Sequence, residues 1–213
     1  RYFSSLVQDF PTSNLVPDAY YALGSSYQEE ASFNEAIDFF RKVGASGPSD
    51  LAAQAGIAIA DIYARQNKLS EALAEYHMLA QAYPHLSGII YPKIAEVLEE
   101  KGDLQEALAL YRKSLDMVPV KEMASVQFKI AQTLQSQGQS DEAIEEYLKV
   151  TYLYSDNKEL ATKALLRVAQ LYEDKEKFKE AISIYRRIIS DGVAEAAFAQ
   201  ERVNVIEKQL PLR

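Results

Sequence analysis

Five glutamates, Glu35, Glu71, Glu106, Glu142 and Glu180, each precede an alanine in one recurring phrase, x-Glu-Ala-(Ile/Leu)-x-x-(Tyr/Phe). Carboxylates in a common register could trade protons or hold a cation. The two histidines, His77 and His85, could add a metal ligand or a general base. Neither prospect is supported by the surrounding residues. The histidines flank one expected helix end and lack the spacing of a zinc site, so both are expected at the surface. There is no cysteine, which excludes disulfides and thiolate-bound metals. No Gly-rich phosphate loop and no Gly-x-Ser-x-Gly turn is present. We therefore expect no enzyme: no catalytic residue, no metal site and no cofactor. The glutamates have a plainer explanation, since a negative charge in the first turn of a helix complements the helix dipole.

The elements that carry them follow from the alanines of the phrase. Ala36, Ala72, Ala107, Ala143 and Ala181 are spaced by 36, 35, 36 and 38 residues. Twelve residues before each stands a small residue: Gly24, Ala60, Ala95, Ala131 or Ala169. Three residues after that comes Tyr27, Tyr63, Leu98, Leu134 or Tyr172, and four after the alanine comes Phe40, Tyr76, Tyr111, Tyr147 or Tyr185. Apolar residues three and four apart mark one face of a helix. Each unit has two such faces, parted by a short polar turn such as "KGD" (101–103) or "QGQ" (137–139). Gly102 and Gly138 suit the left-handed backbone that ends a helix. Each unit is thus expected to be a helix–turn–helix hairpin. The small residues should sit where its helices A and B cross, and the aromatic should fill the wider gap one turn along. Pro48, Pro84 and Pro119 close helix B in the first three units, while Ser155 and Val193 stand there in the last two.

These intervals resemble the tetratricopeptide repeat, whose consensus runs Trp-x2-Leu-Gly-x2-Tyr, Ala, Ala-x3-Phe, Pro. The first unit matches with Tyr20, Leu23, Gly24, Tyr27, Ala36, Phe40, Val43 and Pro48. Two departures are the absence of tryptophan and a spacing longer than the usual 34 residues, with the additions between helix B and the next helix A, as at "SDNKEL" (155–160). The stretch "DFPTSNLVPDAYYALGSSY" (9–27) also resembles bacterial periplasmic repeat proteins of the Tol–Pal-associated and outer-membrane-assembly lipoprotein type. The resemblance implies an all-α, right-handed superhelical solenoid of antiparallel helix hairpins. Its expected parts are half a repeat (1–11), five repeats (17–50, 53–86, 88–121, 124–157, 162–193) and a C-terminal capping helix (194–210). Residues 1–11 fit the second half of a repeat, with Phe3 in the aromatic slot. Either a longer array was cut here or a domain begins here, and an apolar face near Phe3 and Phe10 should be exposed. Self-association through that end is one expectation. In "EAAFAQERVNVIEKQL" (195–210) the apolar stripe is expected to be Phe198 and Val205, joined by Val203 and Ile206. That helix caps the last repeat or is helix A of a sixth unit.

The resemblance also implies that helix A lines a concave groove. Its first inner position gives Tyr21, Ile57, Pro92, Phe128 and Leu166, an apolar ladder. Four residues on come Ser25, Asp61, Glu96, Gln132 and Gln170, and Glu99 and Glu100 add charge. The candidate groove is thus Tyr21, Ser25, Ile57, Asp61, Pro92, Glu96, Glu99, Glu100, Phe128, Gln132, Leu166 and Gln170, with its densest negative charge at Asp61, Glu96, Glu99 and Glu100. Repeat domains that clamp acidic chaperone tails use Lys, Asn and Arg at such positions, so acidic tails should be repelled here.

Composition limits the partners. A formal net charge of −8 argues against nucleic acid and anionic membranes. No segment has the ~20 apolar residues of a membrane helix, so direct membrane insertion is not expected. The expected partner is another protein, through a segment with apolar anchors and some basic residues. The expected role is a protein–protein interaction scaffold. The alternatives are a structural spacer using end faces and convex surface, and an accessory domain of an enzyme. The periplasmic resemblance favours a periplasmic or outer-membrane-associated location, with the cytoplasm as the alternative.

Overall fold

The computed structural model describes residues 2–209; Arg1 and Leu210, which the expected boundaries include, lie outside the described residues. Among the described residues there are twelve α-helices, one 3-10 turn and no strand. They fall into two compact units, one up to Asp103 and one from Leu104. The first unit holds α1 (Tyr2–Asp9), α2 (Val16–Glu29), α3 (Phe33–Ala45), α4 (Asp50–Arg65), α5 (Leu69–Ala82) and α6 (Ser87–Lys101), with the 3-10 turn Pro84–Leu86 before α6. The second holds α7 (Leu104–Leu115), α8 (Val120–Ser136), α9 (Ser140–Leu153), α10 (Lys158–Asp174), α11 (Phe178–Ser190) and α12 (Ala196–Gln209). Within each unit successive helices pack on one another, and short turns make neighbours antiparallel.

The alanines of the phrase are fully buried. Ala36, Ala72, Ala107, Ala143 and Ala181 have no exposed surface, and Phe40, Tyr76, Tyr111, Tyr147 and Tyr185 are buried. The glutamates beside them lie in the first turns of α3, α5, α7, α9 and α11 and face solvent. In the first hairpin the contact is closer than expected. A Cβ built on Gly24 would lie 2.7 Å from the Phe40 ring. The ring therefore lies against the glycine itself, not one turn along, because the missing side chain leaves a flat surface for it. Gly56, which the sequence pattern does not single out, is used similarly: its Cβ would meet Leu79 Cδ2 at 2.6 Å.

Five interhelix turns share one device. Ala31, Asn67, Gly102, Gly138 and Glu176 all have positive φ, at 57°, 58°, 90°, 76° and 56°. After each, a backbone N–H reaches back five residues, from Ser32 to Tyr27, Lys68 to Tyr63, Asp103 to Leu98, Gln139 to Leu134 and Lys177 to Tyr172, at 2.8–3.0 Å. This is the Schellman closure of helix A. The left-handed residue stands five before the phrase alanine every time, yet it is glycine only twice.

Prolines mark helix starts as expected: Pro48 lies between α3 and α4, Pro84 opens the 3-10 turn, and Pro119 precedes α8. Pro92 lies inside α6, where it removes the helical hydrogen bond to the Gly88 carbonyl. Near the chain start, Phe3 and Phe10 are exposed, and no residue of α1 is buried. In α12 the stripe is shifted from expectation. Ala199, Val203 and Ile206 are buried against α11, whereas Phe198 is exposed and Val205 half-buried. The spacing i, i+4, i+7 of the buried three follows one helix face, which Phe198 and Val205 do not share.

Candidate functional site

Each unit offers its own inner cleft. In the first unit α2, α4 and the start of α6 enclose about 470 Å³, lined by Tyr21, Ile57, Leu86 and Ile89 on the apolar side and by Gln28, Asp50, Gln54 and Asp61 on the polar side. Tyr21 and Ile57 come together here as the ladder predicts. Both are half-buried, Tyr21 because its ring packs on Phe40 with centroids 5.4 Å apart. The second edge of the cleft came from residues outside the ladder, Leu86 and Ile89. His85 bonds Asp50 at 3.0 Å from the rim, and both histidines are exposed.

A neighbouring recess of about 260 Å³ shares Gln28 and Asp61 and adds Arg65, Lys93, Glu96 and Glu100. Here the acidic patch differs from expectation. Lys93 Nζ donates to both Asp61 oxygens at 2.8 and 2.9 Å, and the Tyr76 hydroxyl donates to Asp61 Oδ1. A cation and a phenol thus occupy one of the four expected charges. Burial, then the bond to Asp61, pushes the Tyr76 phenol well above its ordinary pKa, so it stays a donor. Ser25, Pro92 and Glu99 are half-buried on α2 and α6 and stand outside both recesses.

In the second unit Phe128, Gln132, Leu166 and Gln170 meet as the pattern predicts, around about 400 Å³ between α8 and α10. The Phe128 ring meets Tyr147 edge-on at 5.2 Å. The border of this cleft is basic, formed by Lys163 and Arg167. Lys163 pairs with Glu159 at 2.6 Å and Arg167 donates to Gln170 at 3.3 Å.

The inner polar residues also anchor the buried tyrosines. Tyr147 donates to Gln135 at 2.9 Å, and burial raises its pKa to about 12. Tyr185 donates to Glu173, which also accepts from Arg202 of α12. Burial works to raise the Glu173 pKa, but the bonds from Arg202 and Tyr185 outweigh it and hold the carboxylate below its usual range. Gln135 and Glu173 stand eight residues before the phrase alanine. In the second repeat that place holds Ala64, so Tyr76 turns to Asp61 instead. In the first repeat Phe40 has no hydroxyl, and Gln28 faces the cleft. Sequence reasoning missed Lys93 and Arg202. A signal existed for the first: the residue after the ladder position is Ala22, Ala58, Lys93, Lys129 and Arg167, a change from small to basic along the chain.

Among the described residues no group of acidic or histidine side chains is placed to hold a metal ion, and no helix is long and apolar enough to cross a membrane. Sequence models of the tetratricopeptide repeat match residues 17–43 and 90–119, and that of the soluble NSF attachment protein, SNAP, matches 115–199. No curated protein matches the chain significantly. Among solved structures, MamA superposes with a TM-score of 0.68 at 17% identity, covering 87% of this chain and 97% of its own. YrrB, described as a TPR protein with an unusual peptide-binding site, superposes at 0.63 and 16% identity, covering 95% and 98%. A tetratricopeptide repeat protein from Parabacteroides merdae gives 0.68 at 16%, covering 90% and 73%. The chain therefore contains tetratricopeptide repeats, matched at 17–43 and 90–119, and its fold is that of tetratricopeptide-repeat proteins.

Proposed function

We propose that the chain is a non-enzymatic scaffold that captures a segment of a partner protein on the inner face of its first unit. The observation that carries this is the half-buried pair Tyr21 and Ile57 beside Asp50 and Asp61 in one open cleft. An apolar side chain of the partner fits the first pair, and a neighbouring Lys or Arg fits exposed Asp50, in competition with His85, because Asp61 is already taken by Lys93 and Tyr76. YrrB, of similar fold, is described as having a peptide-binding site, which supports the reading. The step "DFPTSNLVP" and its periplasmic resemblance favour work in a cell-envelope assembly.

The test is titration with a peptide that places Lys one turn from Leu or Phe. Ile57→Asp should abolish binding. Gln54→Lys, at an exposed rim position, should weaken it severalfold while thermal unfolding stays unchanged. Binding indifferent to both would sink the reading. A second reading, a spacer that meets neighbours end to end, is favoured by exposed Tyr2, Phe3 and Phe10. It predicts that Phe3→Asp, not Ile57→Asp, disrupts assembly.

A further inference from the structure

A second kind of cleft lies in the second unit, away from the inner face. Helix α10 gives Lys163, Leu166, Arg167 and Gln170 to the inner cleft, and Lys158, Ala161, Thr162 and Leu165 to this one. Thr151 and Ser155, with Arg187, Asp191 and Val193, complete a recess of about 250 Å³. Its floor is apolar and its mouth is rich in donors.

Thr162 is the odd member. It is only 8% exposed, yet its hydroxyl has no hydrogen-bond partner among the described residues. Of the four other buried Ser and Thr residues, Ser114, Thr133 and Thr151 bond back to carbonyls of their own helices at 2.8 Å, and Ser87 stands at the first residue of α6. Back-bonding is the default for a helical Thr with nothing better to do. Thr162 leaves that bond unmade and lines the recess instead. Around it stand Lys158 and Arg187, neither in an ion pair among the described residues. Arg187 is held by stacking over the Tyr152 ring, 5.0 Å from its centroid. Lys158 opens α10, a helix of 17 residues, and the first amides of a helix have no intrahelical partner. Asn157 caps only the Leu160 N–H, at 3.1 Å.

We propose that this recess binds a phosphate monoester, with the phosphoryl group between Arg187, Lys158, the Thr162 hydroxyl and the N-terminus of α10. The donors suit a tetrahedral oxyanion: a planar fork, a point charge, a hydroxyl and helix amides. Leu165 and Val193 suit the carbon part of the ester. Asp191 is the one acid in the lining. It repels bare phosphate and can accept an N–H from the molecule that carries the ester. A phosphorylated side chain in a polypeptide brings such an N–H, and inorganic phosphate does not.

The test is an amide-resolved NMR titration of the whole chain with inorganic phosphate and with N-acetyl-O-phosphoserine N-methylamide. Sodium chloride of equal ionic strength is the control. Both phosphates should shift the amides of Lys158, Glu159 and Thr162, and chloride should not. The phosphoserine compound should bind more tightly, and Asp191→Asn should strengthen inorganic phosphate selectively. Arg187→Gln should weaken both by about tenfold, the scale of one charge-assisted contact. Thr162→Val keeps the shape and should weaken both severalfold. Lys158→Gln changes an exposed side chain and serves where Arg187→Gln loosens Tyr152. Inorganic phosphate binding as tightly as the phosphoserine compound would make the ligand a free phosphate and overturn the polypeptide source. Shifts absent with both compounds, or unchanged in all three variants, would overturn the site.

Discussion

The two inner clefts stand on the same rungs and present opposite chemistry. In the first unit Tyr21 and Ile57 share a cleft with Asp50 and Asp61, beside a recess where Glu96 and Glu100 stand with Arg65 and Lys93, while in the second Phe128 and Leu166 stand beside Lys163 and Arg167 with no acid in the lining. The buried letters are nearly the same in both: a small residue and an alanine on the paired helices, and an aromatic four residues on. The hairpin crossing constrains those letters and leaves the inner surface free to diverge. The four acidic candidates, Asp61, Glu96, Glu99 and Glu100, therefore all belong to the first unit, and basic residues line the corresponding cleft of the second.

Overpacking the crossings gives the largest expected effect. Ala143→Leu drives a branched side chain into the α8–α9 contact, and Gly24→Ala places a methyl group 2.7 Å from the Phe40 ring. Each should destabilise its unit by about 1–3 kcal/mol, read by urea unfolding. A neutral Ala143→Leu would mean that the two units do not share one scaffold.

Next come the two tyrosine–acid–base groups. Glu173 and Arg202 have side chains 14% and 35% exposed, against 33% and 31% for Asp61 and Lys93. The drier carboxylate should matter more. Glu173→Gln should cost about 1.5–3 kcal/mol, the range for hydrogen bonds to charge, and should loosen α12 in hydrogen exchange. Lys93→Gln should cost less than about 1 kcal/mol, as wetter pairs do. Equal effects would remove burial as the distinction.

Acid should separate the units further. In the first, burial of Glu75 raises its carboxyl against the opposing charge of Arg41. In the second, Asp141 is lowered by its bond to Lys175, Glu159 by its bond to Lys163, and Glu173 by the balance described above. The signs follow from linkage. A lowered carboxylate contributes stability above its unfolded pKa, here 4.5 for Glu173, and loses it as pH falls through the folded value. A raised one holds its proton better when folded, so it gains as pH falls. Between about pH 5 and about pH 3 the second unit should weaken while Glu75 buffers the first. Residue-resolved hydrogen exchange across that window checks this, and Glu75→Gln should remove the difference on the first unit's side.

The scaffold was legible because burial at a helix crossing tolerates few residue types, so Ala36, Ala143 and their equivalents recur at a fixed interval. Ladder members Tyr21, Ile57, Phe128 and Leu166 were legible for the same reason, being one helical position in each repeat. What the sequence hid depends on pairing between repeats. Lys93 reaches Asp61 across 32 residues, and Arg202 reaches Glu173 across 29. No local period encodes such a partner, and a long side chain can choose among several acids. The α12 register was hidden too, because Phe198 and Val205 are as apolar as the residues buried in their place.

The turns give the smallest effect and the sharpest contrast between pattern and geometry. The second unit has two left-handed positions after a helix A, Gly138 and Glu176. A side chain in that conformation costs roughly 1–2 kcal/mol relative to glycine, while glycine costs about 0.4–1 kcal/mol through the freer unfolded chain. Glu176 is exposed, so its replacement removes little else. Glu176→Gly should therefore stabilise by up to about 1 kcal/mol, and Gly138→Ala should destabilise by a similar amount. A Cβ at Gly138 meets nothing within 4 Å, so any loss there comes from the backbone and not from crowding. The two substitutions, compared by thermal unfolding in one background, should shift the midpoint in opposite directions. Shifts of the same sign would mean that the backbone at 176 is not held left-handed by the Lys177–Tyr172 bond, and that the five turns are not one device.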